Sequence, residues 1–238
     1  MIQICTRVRH PELYRKMQES ARATASGPIM FSASFDDGQP KIAESYNLLG
    51  ATSMAPILLF VHDDVIFLSK GWDDKIREAV NLGFNVVGVC GTQKYDGGMI
   101  FDSGRQHSVG KVVSVVDGKR VIRLFENRSE IEPCQAVDGM FMATTREHFI
   151  KTGFDMQFDG LFYYDVDYCL ASNCCVADIL VAHEKPEHLR GQYPKGMLTM
   201  SSYADAFNAK HGFKSDPPIG DQRCDSVLYI HDGAEATV

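Results

Sequence analysis

Two short acidic stretches carry the residues best suited to chemistry. In ILLFVHDDVIF (57–67), five apolar residues run into His62-Asp63-Asp64 and apolar sequence resumes at once. The run reads as a strand buried on both faces, as in a parallel sheet covered by helices. Ionised carboxylates are costly to bury unless paired, hydrogen-bonded or bound to a metal. Asp63 and Asp64 therefore belong at the strand's end, where open α/β sheets bind ligands. On spacing alone, an acidic turn capping the next element accounts for them equally well. In GLFYYDVDYCLAS (160–172), aromatic residues lead into Asp165-Val166-Asp167, and Val166, Cys169 and Leu170 fall on one helical face. Aspartate is a favoured helix cap and suits the positive end of the helix dipole. The same placement holds a carboxylate on a fixed framework beside an aromatic wall, which a general base needs. Asp165 and Asp167 should point roughly 200° apart around the helix, so only one can address a given hydroxyl. Asp165, at the boundary between loop and helix, is expected to face the cleft.

The elements needed to hold these stretches follow from the periodicity. IQICTRV (2–8) reads as an opening strand, and Pro11 then suits the first turn of a helix with Leu13, Met17 and Ala21 on one face. GPIMFSASFDDGQ (27–39) is a second strand ending in a polar turn at Asp36-Asp37, and AESYNLLGATSMA (43–55) is a helix despite its glycine. After the HDD strand, WDDKIREAVNLG is a helix with an aspartate at or near its N-cap and Gly83 as a stop. Trp72 is a packing residue at its start. NVVGVCG (85–91) is another buried strand. Strand and helix alternate this far, which predicts a largely parallel α/β sheet.

Beyond that point the pattern changes. GKVVSVVDGKRVIRLFE (110–126) has two β-rich runs around Asp117-Gly118, a hairpin signal. CQAVDGMFMATT (134–145) is a strand interrupted at Asp138-Gly139, and DILVAHE (178–184) is a short strand ending near His183. The tail, with KSDPPIGDQ (214–222), reads as irregular wrapping that ends in VLYIHD.

Composition narrows the class. With 238 residues and 45% of them hydrophobic, the chain can bury a real core, and one domain is the better prior. Residues 1–213 form that domain, with the change of pattern near 92 and with 214–238 as a packed tail. A net charge of −7 weakens any case for nucleic acid held by electrostatics alone, without excluding a local basic patch. No apolar run is long enough to span a bilayer, and MIQICTRVRH lacks a signal peptide's apolar core. Seven cysteines without a C-x-x-C pair suggest packing residues in a reducing, cytoplasmic setting.

Taken in order, these pieces resemble the GT-A fold, and family-2-like metal-dependent glycosyltransferases in particular. SYNLLGATSMAPILLFVHDDV is similar to the segment in which a helix carrying an Asn precedes an apolar strand and a D-x-D metal motif. VDGMFMATTREHF, followed by GFDMQFDGLFYYDVDYCLA, is similar to the acceptor-side segment, where an acidic motif opens a helix. The resemblance covers about residues 1–185. It implies a single GT-A-like α/β domain with a Rossmann-like, mostly parallel sheet, flanking helices and a small β-hairpin. It further implies inverting transfer of a sugar from a nucleotide donor, a UDP-sugar, to an acceptor hydroxyl, with Mn²⁺ or Mg²⁺ on the diphosphate.

Carried over residue by residue, Asp64 and His183 would hold the metal and Asp165 would be the base. Thr6, Asp36, Asp37, Asn47, Asp63 and Asp138 would meet the donor. Arg190 or Lys195 would meet the diphosphate. Three departures stand out. The motif reads H-D-D, Tyr164 replaces an acid before Asp165, and Tyr46 replaces a basic residue before Asn47. The acceptor is left open among glycan, lipid-linked glycan, protein and modified nucleic-acid base. Two other readings remain. A nucleotidyltransferase would want a Gly-rich phosphate loop, which CTRVRHPE lacks. A non-catalytic carbohydrate-binding protein on this fold would be consistent with H-D-D.

Overall fold

The computed structural model describes residues 1–35, 41–98, 100, 104–116, 119–125, 129–184, 200–213 and 226–229. Asp36, Asp37, the turn 117–118, the segment 185–199 and most of the tail lie outside these residues.

The chain opens as β1 (Ile2–Val8), α1 (Pro11–Thr24), β2 (Ile29–Phe35), α2 (Ile42–Thr52) and β3 (Ile57–Val61). It continues with β4 (Val65–Phe67), α3 (Trp72–Asn81), β5 (Val86–Gly88) and β6 (Cys90–Thr92). The hairpin is β7 (Ser108–Val116) and β8 (Lys119–Leu124), followed by β9 (Ile131–Cys134), β10 (Ala136–Val137) and β11 (Phe141–Thr145). Then come α4 (Arg146–Thr152), α5 (Tyr164–Leu170), β12 (Cys174–Ala177), β13 (Val181–His183), α6 (Met200–His211) and β14 (Ser226–Tyr229).

The main sheet has the order β2-β1-β3-β11-β5-β12-β9. β1, β2 and β3 are parallel, as are β5 and β12, while β11 and β9 run against their neighbours. Strand β3 explains its own unbroken apolar run. Leu58 and Phe60 pack with Tyr46, Phe149 and Phe154 on one face, whereas Ile57, Leu59 and Val61 pack with Met17, Trp72 and Ile76 on the other. Helices cover both faces, so neither side of the strand tolerates a polar residue.

The second sheet, β10-β6-β7-β13-β4, forms because two expected single strands are broken. Residues 85–91 divide into β5 and β6, and 134–145 divide at Asp138-Gly139 into β10 and β11, one piece in each sheet. Helix α3 is capped by Gly71 in the left-handed conformation and not by an aspartate. Asp73, in its first turn, instead accepts from the amides of Ser26 and Gly27 and pairs with Arg77.

Gly50, an awkward residue for a helix by propensity, is a packing site. A Cβ there would lie 2.4 Å from Phe149 Cζ of α4. Gly50→Ala should therefore destabilise the protein by about 1–3 kcal/mol, the usual range for overpacking. Propensity alone would predict a gain of about 1 kcal/mol. A chemical melt of the variant decides the sign.

Candidate active site

β3 delivers its turn to the crevice with the backbone pinned on both sides. The His62 amide donates to the Met140 carbonyl at 3.0 Å, and the Glu184 amide donates to the Asp64 carbonyl at 2.9 Å. β13 runs antiparallel to β4 with His183 opposite Val65, and that register brings His183 alongside Asp64. His62, Asp64 and His183 consequently offer one ligand atom each within 4.8 Å of one another. His183 Nε2 lies 3.1 Å from Asp64 Oδ1, yet that buried oxygen has no hydrogen bond of acceptable geometry. Burial raises the Asp64 pKa, but His183 and His62 outweigh it and hold the carboxyl well below the usual range. A fully ionised, under-coordinated oxygen beside two imidazoles is a fitting cradle for a divalent cation. Two nitrogens and one oxygen suit Mn²⁺ better than Mg²⁺, which prefers oxygen alone.

Asp63 is oriented differently. Its Oδ2 accepts from the amides of Arg9 and His10, both at 2.6 Å. It thereby fixes the chain leaving β1 and bears on the crevice through that loop. Arg7, Arg9, His10, Tyr46 and Asp63 line the crevice together with the His62–Asp64–His183 cluster. The arginines went unassigned from sequence, although R-V-R-H at the carboxyl end of the first strand is the available signal. Thr6 is fully buried with an unpartnered hydroxyl, and it is its neighbour Arg7 that lines the crevice. Asn47 grips the backbone of Phe154, donating to its carbonyl and accepting from its amide at 2.8 Å each. Ile42 and Tyr46 are the α2 residues at the crevice wall.

A second crevice adjoins the first and shares His62, Leu161 and Phe162 with it. Asp138, Tyr164 and Asp165 lie in its wall. Asp165 Oδ2 accepts from the Gly139 amide and Oδ1 from the Val166 amide, both at 2.9 Å. Burial pushes its pKa up to about 7, and the charge of Asp138 adds to that against the pull of the two amides. Asp138 also makes the bend, with its Oδ1 accepting from the Met140 amide.

Asp167 faces elsewhere, as the helical period requires. Its Oδ1 lies 2.7 Å from His211 Nε2 and 2.6 Å from Lys210 Nζ, so it ties α5 to α6. The same helix stacks Phe207 on Tyr163 at a centroid distance of 4.4 Å. Tyr163 caps α5 at φ 69°, a strained value for a non-glycine residue. The cost of Asp167→Asn thus comes from docking α6 and not from a lost cap. About 1.5–3 kcal/mol of stability should go with the charged hydrogen bonds, and turnover per folded molecule should be retained.

A seven-stranded α/β sheet carrying a candidate cation cluster at the end of its third strand defines the class: this is the GT-A fold. The model of the glycosyltransferase like family matches residues 6–204, and the chain belongs to that family. No curated protein matches it by sequence. Among solved structures it is similar to GalNAc-T7 with UDP, GalNAc and Mn²⁺, at TM-score 0.58 and 9% identity over 85% of this chain. The match spans 46% of that protein's chain. It is also similar to the catalytic domain of Drosophila beta1,4galactosyltransferase 7 in complex with xylobiose, at TM-score 0.53 and 10% identity. That match covers 86% of this chain and 79% of the other. At such identities the likeness shows the fold alone. Among the described residues no helix is long and apolar enough to cross a membrane.

Proposed function

We propose that the protein transfers a sugar from a UDP-sugar to an acceptor hydroxyl, with inversion and with the help of a divalent cation. The reading rests on one observation: two crevices adjoin and share a wall. One holds two arginines and the cation cluster, the other holds Asp165, and His62, Leu161 and Phe162 belong to both. Arg7 and Arg9 suit a diphosphate. Asp64, His62 and His183 would hold Mn²⁺, which when bound would neutralise charge on the departing diphosphate.

Asp165 takes the acceptor proton. With its pKa near 7, it is ionised often enough at neutral pH to act and basic enough to accept the proton. The acceptor oxygen then attacks the anomeric carbon as the bond to the diphosphate breaks, and UDP leaves with that electron pair. Attack from the face opposite the leaving group inverts the centre. The half-buried Phe162, on the wall common to both crevices, offers an apolar face for a sugar ring. A hydrolysis and melting-temperature panel of nucleotide sugars with Mn²⁺, Mg²⁺ and EDTA tests the reading. Mn²⁺-dependent stabilisation by UDP and slow release of sugar from a UDP donor are expected. Indifference to every donor and metal would defeat it.

A further inference from the structure

Two of the three departures from the family pattern meet in space. His62 stands in place of the first aspartate of D-x-D, Tyr164 in place of an acid before Asp165, and His62 Nε2 lies 3.0 Å from Tyr164 Oη. The partners are 102 residues apart in the chain, so the contact is made only by folding. Tyr164 is 2% exposed, and its ring packs 6.1 Å from both Tyr46 and Phe154. Gly139 leaves the space for it: a Cβ there would lie 2.3 Å from Tyr164 Oη and 2.8 Å from Asp165 Cβ. A side chain fenced in this way has little rotamer freedom, and its hydroxyl is a fixed point against which an imidazole can be set.

The chemistry explains the need for one. A carboxylate presents two equivalent oxygens and ligates over a broad range of angles, so an aspartate needs no partner to choose its ligating atom. An imidazole offers one lone pair along one direction, and only from the nitrogen without the proton. Histidine ligands are accordingly held by a hydrogen bond to the other nitrogen.

We propose that Tyr164 is a positioning residue for His62. Its hydroxyl oxygen, accepting from Nε2–H, holds the rotation of the imidazole, and a cation shared with Asp64 and His183 would take the lone pair of the second ring nitrogen. H-x-D with Tyr164 is thus one coupled replacement for D-x-D with an acid. The inference deepens the metal-dependent reading above and rests on it.

The test is Mn²⁺ titration in the presence of UDP, followed by the electron paramagnetic resonance signal of free Mn²⁺. It uses the intact chain, Tyr164→Phe, His62→Ala, the double variant and Asp64→Asn. Tyr164→Phe keeps the ring and its packing, which metal-free melting checks. Its Mn²⁺ affinity should fall about 10- to 100-fold. In the His62→Ala background the same change should cost nothing further. Unchanged affinity in Tyr164→Phe, or an equal loss with and without His62, overturns the proposal. If Asp64→Asn loses Mn²⁺ while Tyr164→Phe does not, only this inference fails. If the unaltered chain binds no Mn²⁺ with UDP, the metal-dependent reading fails and carries this inference with it.

Discussion

Asp165→Asn should lower turnover by about 10²- to 10⁴-fold, the usual worth of a positioned general base. UDP and Mn²⁺ affinity should stay nearly unchanged. The asymmetry arises because Asp165 lies in the crevice with Asp138 and Tyr164, whereas both arginines, Asp64 and His183 line the other. Asn keeps an oxygen to accept from the Gly139 amide, so the start of α5 survives the change. Turnover of the unaltered protein should rise about tenfold per unit of pH in acid and level off above about 7, where Asp165 is ionised.

The same shift fixes the sign of a stability effect. Asp165 binds its proton more tightly folded than unfolded, so it costs no stability below its unfolded pKa. The cost grows as pH climbs from there through about 7. The Asn variant escapes that cost and should gain in melting temperature relative to the parent between pH 5 and pH 8, while being nearly inactive. A flat pH profile, or a variant that turns over normally, would remove Asp165 from the mechanism.

Asp64→Asn should abolish stabilisation by UDP with Mn²⁺. At ligand concentrations 100 times the dissociation constant, that stabilisation amounts to about 2.7 kcal/mol in the unaltered protein. The carboxylate supplies the only formal negative charge among the three clustered groups, and its Oδ1 faces His183 Nε2 at 3.1 Å without a well-formed hydrogen bond. The amide is nearly isosteric, and the Asp64 backbone remains held by the Glu184 amide, so the fold should persist without metal. EDTA should bring the unaltered protein down to the variant's melting temperature and leave the variant where it was. Undiminished UDP–Mn²⁺ affinity in Asp64→Asn would sink the assignment.

What the sequence determined is what local periodicity encodes. The apolar run of β3 announced a strand covered on both faces, and its polar end announced the crevice. The helical period separated Asp165 from Asp167, and the two indeed face a cleft and α6 respectively. The hairpin runs and the interruption at Asp138-Gly139 were legible for the same reason, since turn residues act over a few positions.

Tertiary structure decided which atoms of those stretches meet. Asp63 and Asp64 are neighbours of identical type, yet one is spent on the amides of Arg9 and His10, 54 and 53 residues away, and the other sits with two histidines. His183, a ligand that the family resemblance implied, comes alongside Asp64 through the β13–β4 register, which no spacing in the sequence specifies. Asn47, expected at the nucleotide, brackets the backbone of Phe154, 107 residues on. Gly50 looked like a flaw in a helix and proved to be the seat of Phe149. In each case the partner is distant in sequence, and the choice among chemically equal residues rests on register, close approach and hydrogen bonds that exist only once the chain has folded.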